Sequence, residues 1–161
     1  MAEDNDKRFI LWFDEIGIED VPSVGGKTAS LGEMYQNLNS QGVKVPNGFA
    51  ITASAYRHFL KFAGIEEGIK KVLKDLDTHD INSLMKKGKD IREIIEGSEF
   101  PQDLTQAICT AYDQLAAGLN RQGEDPDVAI RSSATAEDLP DASFAGQQET
   151  FLNIRGKKAV L

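Results

Sequence analysis

The sequence predicts an α+β fold, a small mixed sheet with flanking helices and a helical insert, and three observations carry that prediction. Aromatic and β-branched runs of strand length stand near the N-terminus and again after residue 127. Between them, over residues 52–119, four apolar stripes succeed one another at helical spacing. With 40 % hydrophobic and 27 % charged residues in 161, the composition is that of a globular chain able to bury a core.

Taken in order, residues 1–7 are polar and expected to fray. Phe9-Ile10-Leu11-Trp12-Phe13 reads as a buried strand. Residues 14–26 read as loop, marked by Pro22, Ser23, Gly25 and Gly26. A helix is expected over 27–41 on Ala29, Leu31, Met34, Tyr35 and Leu38, with Gly42 closing it at C′. Residues 43–51 read as extended, and Pro46 and Gly48 suggest an edge or bulged strand.

The helical insert comes next. Thr52 or Ser54 can cap a helix carrying Ala55, Tyr56, Phe59, Leu60 and Phe62. Ile65, Ile69, Val72, Leu73 and Leu76 form a second stripe. Asp80 is the expected N-cap of a third, with Ile81, Leu84, Met85, Gly88, Ile91 and Ile95 along one face. Pro101 opens a fourth, on Leu104, Ala107, Ile108, Ala111, Leu115 and Leu119. All four stripes are read as core. After a charged loop over 120–127, Val128-Ala129-Ile130 reads as a strand that delivers Arg131. A polar connection over 132–143 leads to strand-like 144–154, and 156–161 resembles a first helical turn. That unfinished apolar element suggests a piece of a larger protein.

Charge narrows the partners. Eighteen Lys and Arg against 26 Asp and Glu give a net charge of −8, which argues against a nucleic-acid platform. No stretch approaches the ~20 apolar residues of a membrane span. Cys109 is the only cysteine and cannot form an internal disulfide, which fits a reducing cytoplasm.

Two stretches carry candidate chemistry. In Val24-Gly25-Gly26-Lys27-Thr28 the end of a P-loop pattern is present, but Val21 stands where its first glycine is required. A lysine in the first turn of a helix also opposes the macrodipole. Glycines that allow close backbone approach and free helix N–H groups would together suit an anion, phosphate above all. A flexible turn with a solvated lysine suits the same residues. In the second stretch, Arg131 at a strand end can present its fork to phosphate oxygens. It can equally pair with Glu137 or Asp138. Phe144-Ala145-Gly146 looks like a loop feeding a strand, with glycine where backbone could approach a ligand.

Read together, Gly-Gly-Lys-x-Ala-x-Leu-Gly-Glu-Met, then Val-Pro-x-Gly-Phe-Ala-Ile-Thr, then the run from Ile130 to Thr150 resemble the phosphoenolpyruvate synthase (pyruvate, water dikinase) family. The resemblance covers roughly residues 13–156 and falls on the N-terminal part of that family's ATP-grasp nucleotide-binding domain. It implies the first lobe of an ATP-grasp fold and a phosphotransferase that turns ATP, pyruvate and water into AMP, phosphoenolpyruvate and phosphate. It also implies that Lys27 and Arg131 hold ATP phosphates, with Gly146, Gln148 and Thr150 in the segment closing over the nucleotide. The implied partners are the remaining lobe, a swivelling phosphohistidine domain and a pyruvate-binding barrel. Rifampicin phosphotransferase shares both motifs almost unchanged, pyruvate, phosphate dikinase usually has another version of the closing loop Ser-Phe-Ala-Gly-Gln-Gln-Glu-Thr, and a stand-alone nucleotide-binding module is the reading from another class.

Absences matter too. No Thr-x-Gly-Gly-x-x-x-His setting for a carrier histidine occurs, and His58 and His79 read as surface or half-buried residues. Magnesium ligands are expected outside this sequence. Glu137, Asp138 and Asp141 read as solvated loop carboxylates, and Cys109, on the apolar stripe side of a helix next to Ile108, as inert.

Overall fold

The computed structural model describes residues 8–119, 125–136 and 149–161. The expectations for 1–7, the loop 120–124, Gly146, Gln148 and the carboxylates Glu137, Asp138 and Asp141 lie outside the described residues. The chain divides into two units, one made of Met1–Tyr56 and Asp103–Leu161, the other of Arg57–Gln102.

In the first unit, β1 (Ile10–Trp12) pairs antiparallel with β2 (Phe49–Ile51). Phe13 N–H donates to the Gly48 carbonyl at 3.1 Å and prolongs the ladder, while the Trp12 and Phe49 rings meet at 5.5 Å. Residues 43–48 are not strand, which corrects the expected 43–51. The side chain of Asn39 occupies the Val45 backbone instead, accepting from its N–H at 2.9 Å and donating to its carbonyl at 3.3 Å.

Nor are residues 14–26 simply loop. A 3₁₀ turn over Ile18–Asp20 leads into α1 (Val21–Val24), with Pro22 in its opening turn. Proline's fixed φ suits that position, where its missing N–H costs nothing. Asp20, buried, accepts from Gly17 N–H at 3.0 Å. Helix α2 (Gly26–Leu38) follows and passes through a 3₁₀ turn to Gly42 at φ +86°, the expected left-handed stop. Its buried face is Gly26, Ala29 and Gly32. These small residues let it approach closely, since a Cβ on Gly32 would fall 2.4 Å from the Ile16 carbonyl oxygen. Gln36 donates to that same carbonyl at 2.6 Å. The core here is Leu11, Ile16, Val24, Ala29 and Ala50.

Thr52 behaves as the expected cap of α3 (Ala53–Ala63), accepting from Ala55 N–H at 3.2 Å. Further along, α6 (Gln102–Gly118) buries Leu104, Ile108, Ala111, Tyr112 and Leu115. Strands β3 (Val128–Arg131) and β4 (Thr150–Ile154) form a second antiparallel pair, and a bulge falls where Asn153 takes φ +58°. The strands thus form two separate two-stranded antiparallel sheets among the described residues, in place of one small mixed sheet. The α+β class stands.

One buried side chain fastens β3 and β4. Tyr112 O–H donates to the Pro126 carbonyl at 2.8 Å and accepts from Gly156 N–H at 2.9 Å. Pro126 precedes β3, and Gly156 follows β4 and starts α7 (Lys157–Val160). The base of the hairpin is therefore tied to α6. Ion pairs Arg155–Asp127 and Lys157–Asp113 lie beside this tie.

In the second unit Phe59 is buried, with the Phe100 ring centred 5.2 Å away. Helix α4 (Glu66–Leu73) and α5 (Ile81–Glu96) form where their stripes predict, and Asp80 caps α5 by accepting from Asn82 and Ser83 N–H. Yet neither helix buries a single residue. Met85 is 67 % exposed. The reading of these two stripes as core is corrected: so short a unit has little interior to offer them.

Candidate phosphate-binding site

The site is built where two distant stretches of the first unit meet. Gly25 stands before α2 at φ +81°, ψ 160°, a backbone region open to glycine. It supplies no side-chain cap, so the N–H groups of the first helical turn need partners from elsewhere. The segment leaving β3 runs past that turn. Ser133 Oγ accepts from Thr28 N–H at 3.4 Å, and a Cβ on Gly25 would fall 2.3 Å from this oxygen and 2.8 Å from the Ala134 carbonyl oxygen. The expectation that the glycines admit close backbone approach is met in an unexpected way: the approaching backbone at Gly25 is the chain's own.

Arg131 ends β3 opposite Thr150 of β4, and Ser132 N–H donates to the Glu149 carbonyl at 3.2 Å. Two of the sequence-expected site residues are therefore cross-strand neighbours. Arg131 and Thr150 are exposed, and Lys27 is half-buried in the first turn of α2. The Tyr112 tie sits at the opposite end of the hairpin, about 10 Å of strand away, so Arg131 projects from a ribbon anchored at its base. Arg131, Thr28 and Ser133 line a cavity of about 180 Å³ whose other walls include Phe13, Val24 and Phe49. Arg131 also borders an apolar pocket of about 400 Å³ with Leu31, Phe49, Leu115 and Ile130.

Three positive features belong to this unit. The positive end of the α2 dipole, worth roughly half an elementary charge, lies in the same unit as the Lys27 ammonium and the Arg131 guanidinium. Such a surface can hold an oxyanion by charge and by hydrogen bonds, and by itself supplies neither nucleophile nor general base. The sequence motifs contain Ser133 and Thr28 without marking a role for either; a serine two residues after a strand-end arginine is the available signal for Ser133.

His58 is half-buried and His79 exposed, and neither lines these cavities. Cys109 is a half-buried free thiol. Among the described residues no three His, Cys, Asp or Glu side chains gather as a metal site. No helix among them is long and apolar enough to cross a membrane.

A glycine-led helix N-terminus and a strand-end arginine stand together in one unit of an α+β scaffold. The chain belongs to the family described as "Pyruvate phosphate dikinase, AMP/ATP-binding domain", which matches residues 21–161. Among its relatives, phosphoenolpyruvate synthase of Aquifex aeolicus is 50 % identical over all 161 residues, and that of Escherichia coli 49 %. The probable phosphoenolpyruvate synthase of Methanocaldococcus jannaschii is 50 % identical over 155 residues, 96 % of this chain. The chain spans only 19 %, 20 % and 12 % of these relatives' lengths, respectively.

Proposed function

We propose that this chain is the phosphate-gripping lobe of a phosphoenolpyruvate synthase, with Lys27 and Arg131 holding ATP phosphates. The observation that carries the proposal is the apposition of Gly25 and Thr28 with Ser133 and Ala134, which joins the lysine-bearing helix to the arginine-bearing strand. Thr150, opposite Arg131, binds the nucleotide, and the resemblance to the family assigns Gly146 and Gln148 to nucleotide binding as well. The names and identity of the relatives support pyruvate as the acceptor. In the whole enzyme ATP, pyruvate and water give AMP, phosphoenolpyruvate and phosphate, the β-phosphate travelling on a histidine of a swivelling domain to a pyruvate-binding barrel. The contribution of this lobe is position and charge neutralisation, most of what phosphoryl transfer asks of a protein. The remaining lobe closes the nucleotide site and brings the magnesium ligands, and the setting is the cytoplasm.

Placed in a complete phosphoenolpyruvate synthase, Lys27→Ala and Arg131→Ala should each slow labelling of the carrier histidine from ATP by about 10²-fold or more. Labelling at the unsubstituted rate in both variants would refute the assignment. The 161-residue chain alone should form no phosphoenolpyruvate, since a lobe without carrier histidine or acceptor site cannot complete the transfer. Product above a no-protein control would contradict this.

A further inference from the structure

We infer that Ser133 is a positioning residue: its hydroxyl caps α2 from 105 residues away and so holds Arg131 in register with Lys27 for one phosphate chain. The inference rests on the phosphate-gripping reading above and adds the means by which its two cations are aligned.

An N-cap residue commonly supplies from its own side chain the oxygen that accepts from the first turn. Here the N-cap is Gly25, which has no side chain to do so. Counting from it, Thr28 is the third helical residue, whose N–H a capping side-chain oxygen ordinarily accepts. Ser133 Oγ stands in that position at 3.4 Å. The segment also passes close to Gly25, where an added Cβ would fall 2.3 Å from Ser133 Oγ and 2.8 Å from the Ala134 carbonyl oxygen. Lys27 and Arg131 carry charges of the same sign, so they cannot align each other by pairing. A neutral contact between their two elements can. Arg131 lies two residues from Ser133, and Lys27 one residue from Thr28, so the contact fixes one cation-bearing backbone against the other.

The rival arrangement is that a phosphate oxygen takes the Thr28 N–H itself, with Ser133 competing for it. The two predict opposite signs. The test is a titration of the ¹⁵N-labelled chain with sodium tripolyphosphate, following the amides of Lys27, Thr28 and Arg131. Ser133→Ala and Ser133→Cys should each raise the apparent dissociation constant about threefold to tenfold, the worth of one hydrogen bond. Ser133→Thr, which keeps the oxygen, should restore it. In an Arg131→Ala background, Ser133→Ala should change the affinity less than twofold, because no second cation remains to be aligned. A purely structural role would lower the melting temperature in both backgrounds and leave affinity unmoved. Equal or tighter binding by Ser133→Ala overturns the inference while leaving the site standing. Silence of the unsubstituted chain at all three amides overturns the site reading, and this inference with it.

Discussion

In α6 the residues Leu104, Ile108, Ala111, Tyr112 and Leu115 are buried, whereas in α5 Ile81, Leu84 and Met85, spaced for a helix face just as well, are exposed. Both stripes formed the helix their spacing predicts. What separates them is a surface to pack against. The unit that includes α6 has two strand pairs and a five-residue apolar cluster; Arg57–Gln102 has two helices with no buried residue and a Phe59–Phe100 contact. Amphipathic period therefore specifies secondary structure, and burial depends on what else the unit brings. The candidate chemistry falls in the well-buried unit, which also holds the contact spanning 105 residues between Thr28 and Ser133.

The largest test of this contrast is truncation on each side of it. Leu11→Ala and Ile108→Ala, at 0 % and 1 % exposure, should each cost about 2–5 kcal/mol in urea unfolding. Met85→Ala should stay within about 0.5 kcal/mol. Equal losses would erase the distinction between the units.

A single oxygen atom sharpens it. Tyr112→Phe keeps the ring and leaves the Pro126 carbonyl and Gly156 N–H without that partner. A loss of about 1–3 kcal/mol is expected, with faster amide exchange along β3 and β4. A neutral substitution would mean that the hairpin base is not tied to α6.

The smallest effect concerns surface charge. Arg8 grips Glu15 at 2.7 and 3.0 Å, and Trp12 N–H donates to it at 3.0 Å. The guanidinium above all holds the Glu15 carboxyl below its usual range. A carboxyl lowered on folding stabilises above its unfolded pKa, and that stability is lost as pH falls through the folded one. Both side chains are more than a third exposed, so Glu15→Gln should cost only about 0.2–1 kcal/mol at pH 7. The difference from the unsubstituted chain should vanish in acid, below the carboxylate range. In the second unit Glu67 pairs with Lys70 in full solvent, and Glu67→Gln should leave the unfolding midpoint unchanged at any pH. A Glu15→Gln deficit that persisted in acid would show that packing, not charge, is responsible.

Much of this was legible in local chemistry. Asp80, Thr52, Gly42 and Pro101 mark helix ends through their own hydrogen bonds or dihedral limits, and each stands at the end it predicts. The strand core of Phe9–Phe13 and the placement of Arg131 at the end of β3 were equally plain. What was not legible depends on partners far away in sequence. Residues 43–48 lost their strand to an Asn39 side chain. Tyr112 escaped the apolar stripe because its value lies in a hydroxyl with two backbone partners. Ser133 gained its place only once β3 had delivered the chain to Gly25. The lysine and arginine themselves were readable as phosphate-seeking residues; the device joining them was not.

The most direct test of the central claim is an NMR titration of the ¹⁵N-labelled chain with ATP. With one lobe and exposed charges, each contact worth ~0.2–1 kcal/mol, the dissociation constant should be about 1 mM or weaker. Amides at 25–28, 131–132 and 149–150 should shift, those at 146–148 with them, and those in α4 and α5 should stay still. Shifts confined to residues 57–102, with the Gly25 and Arg131 amides unmoved, would contradict it.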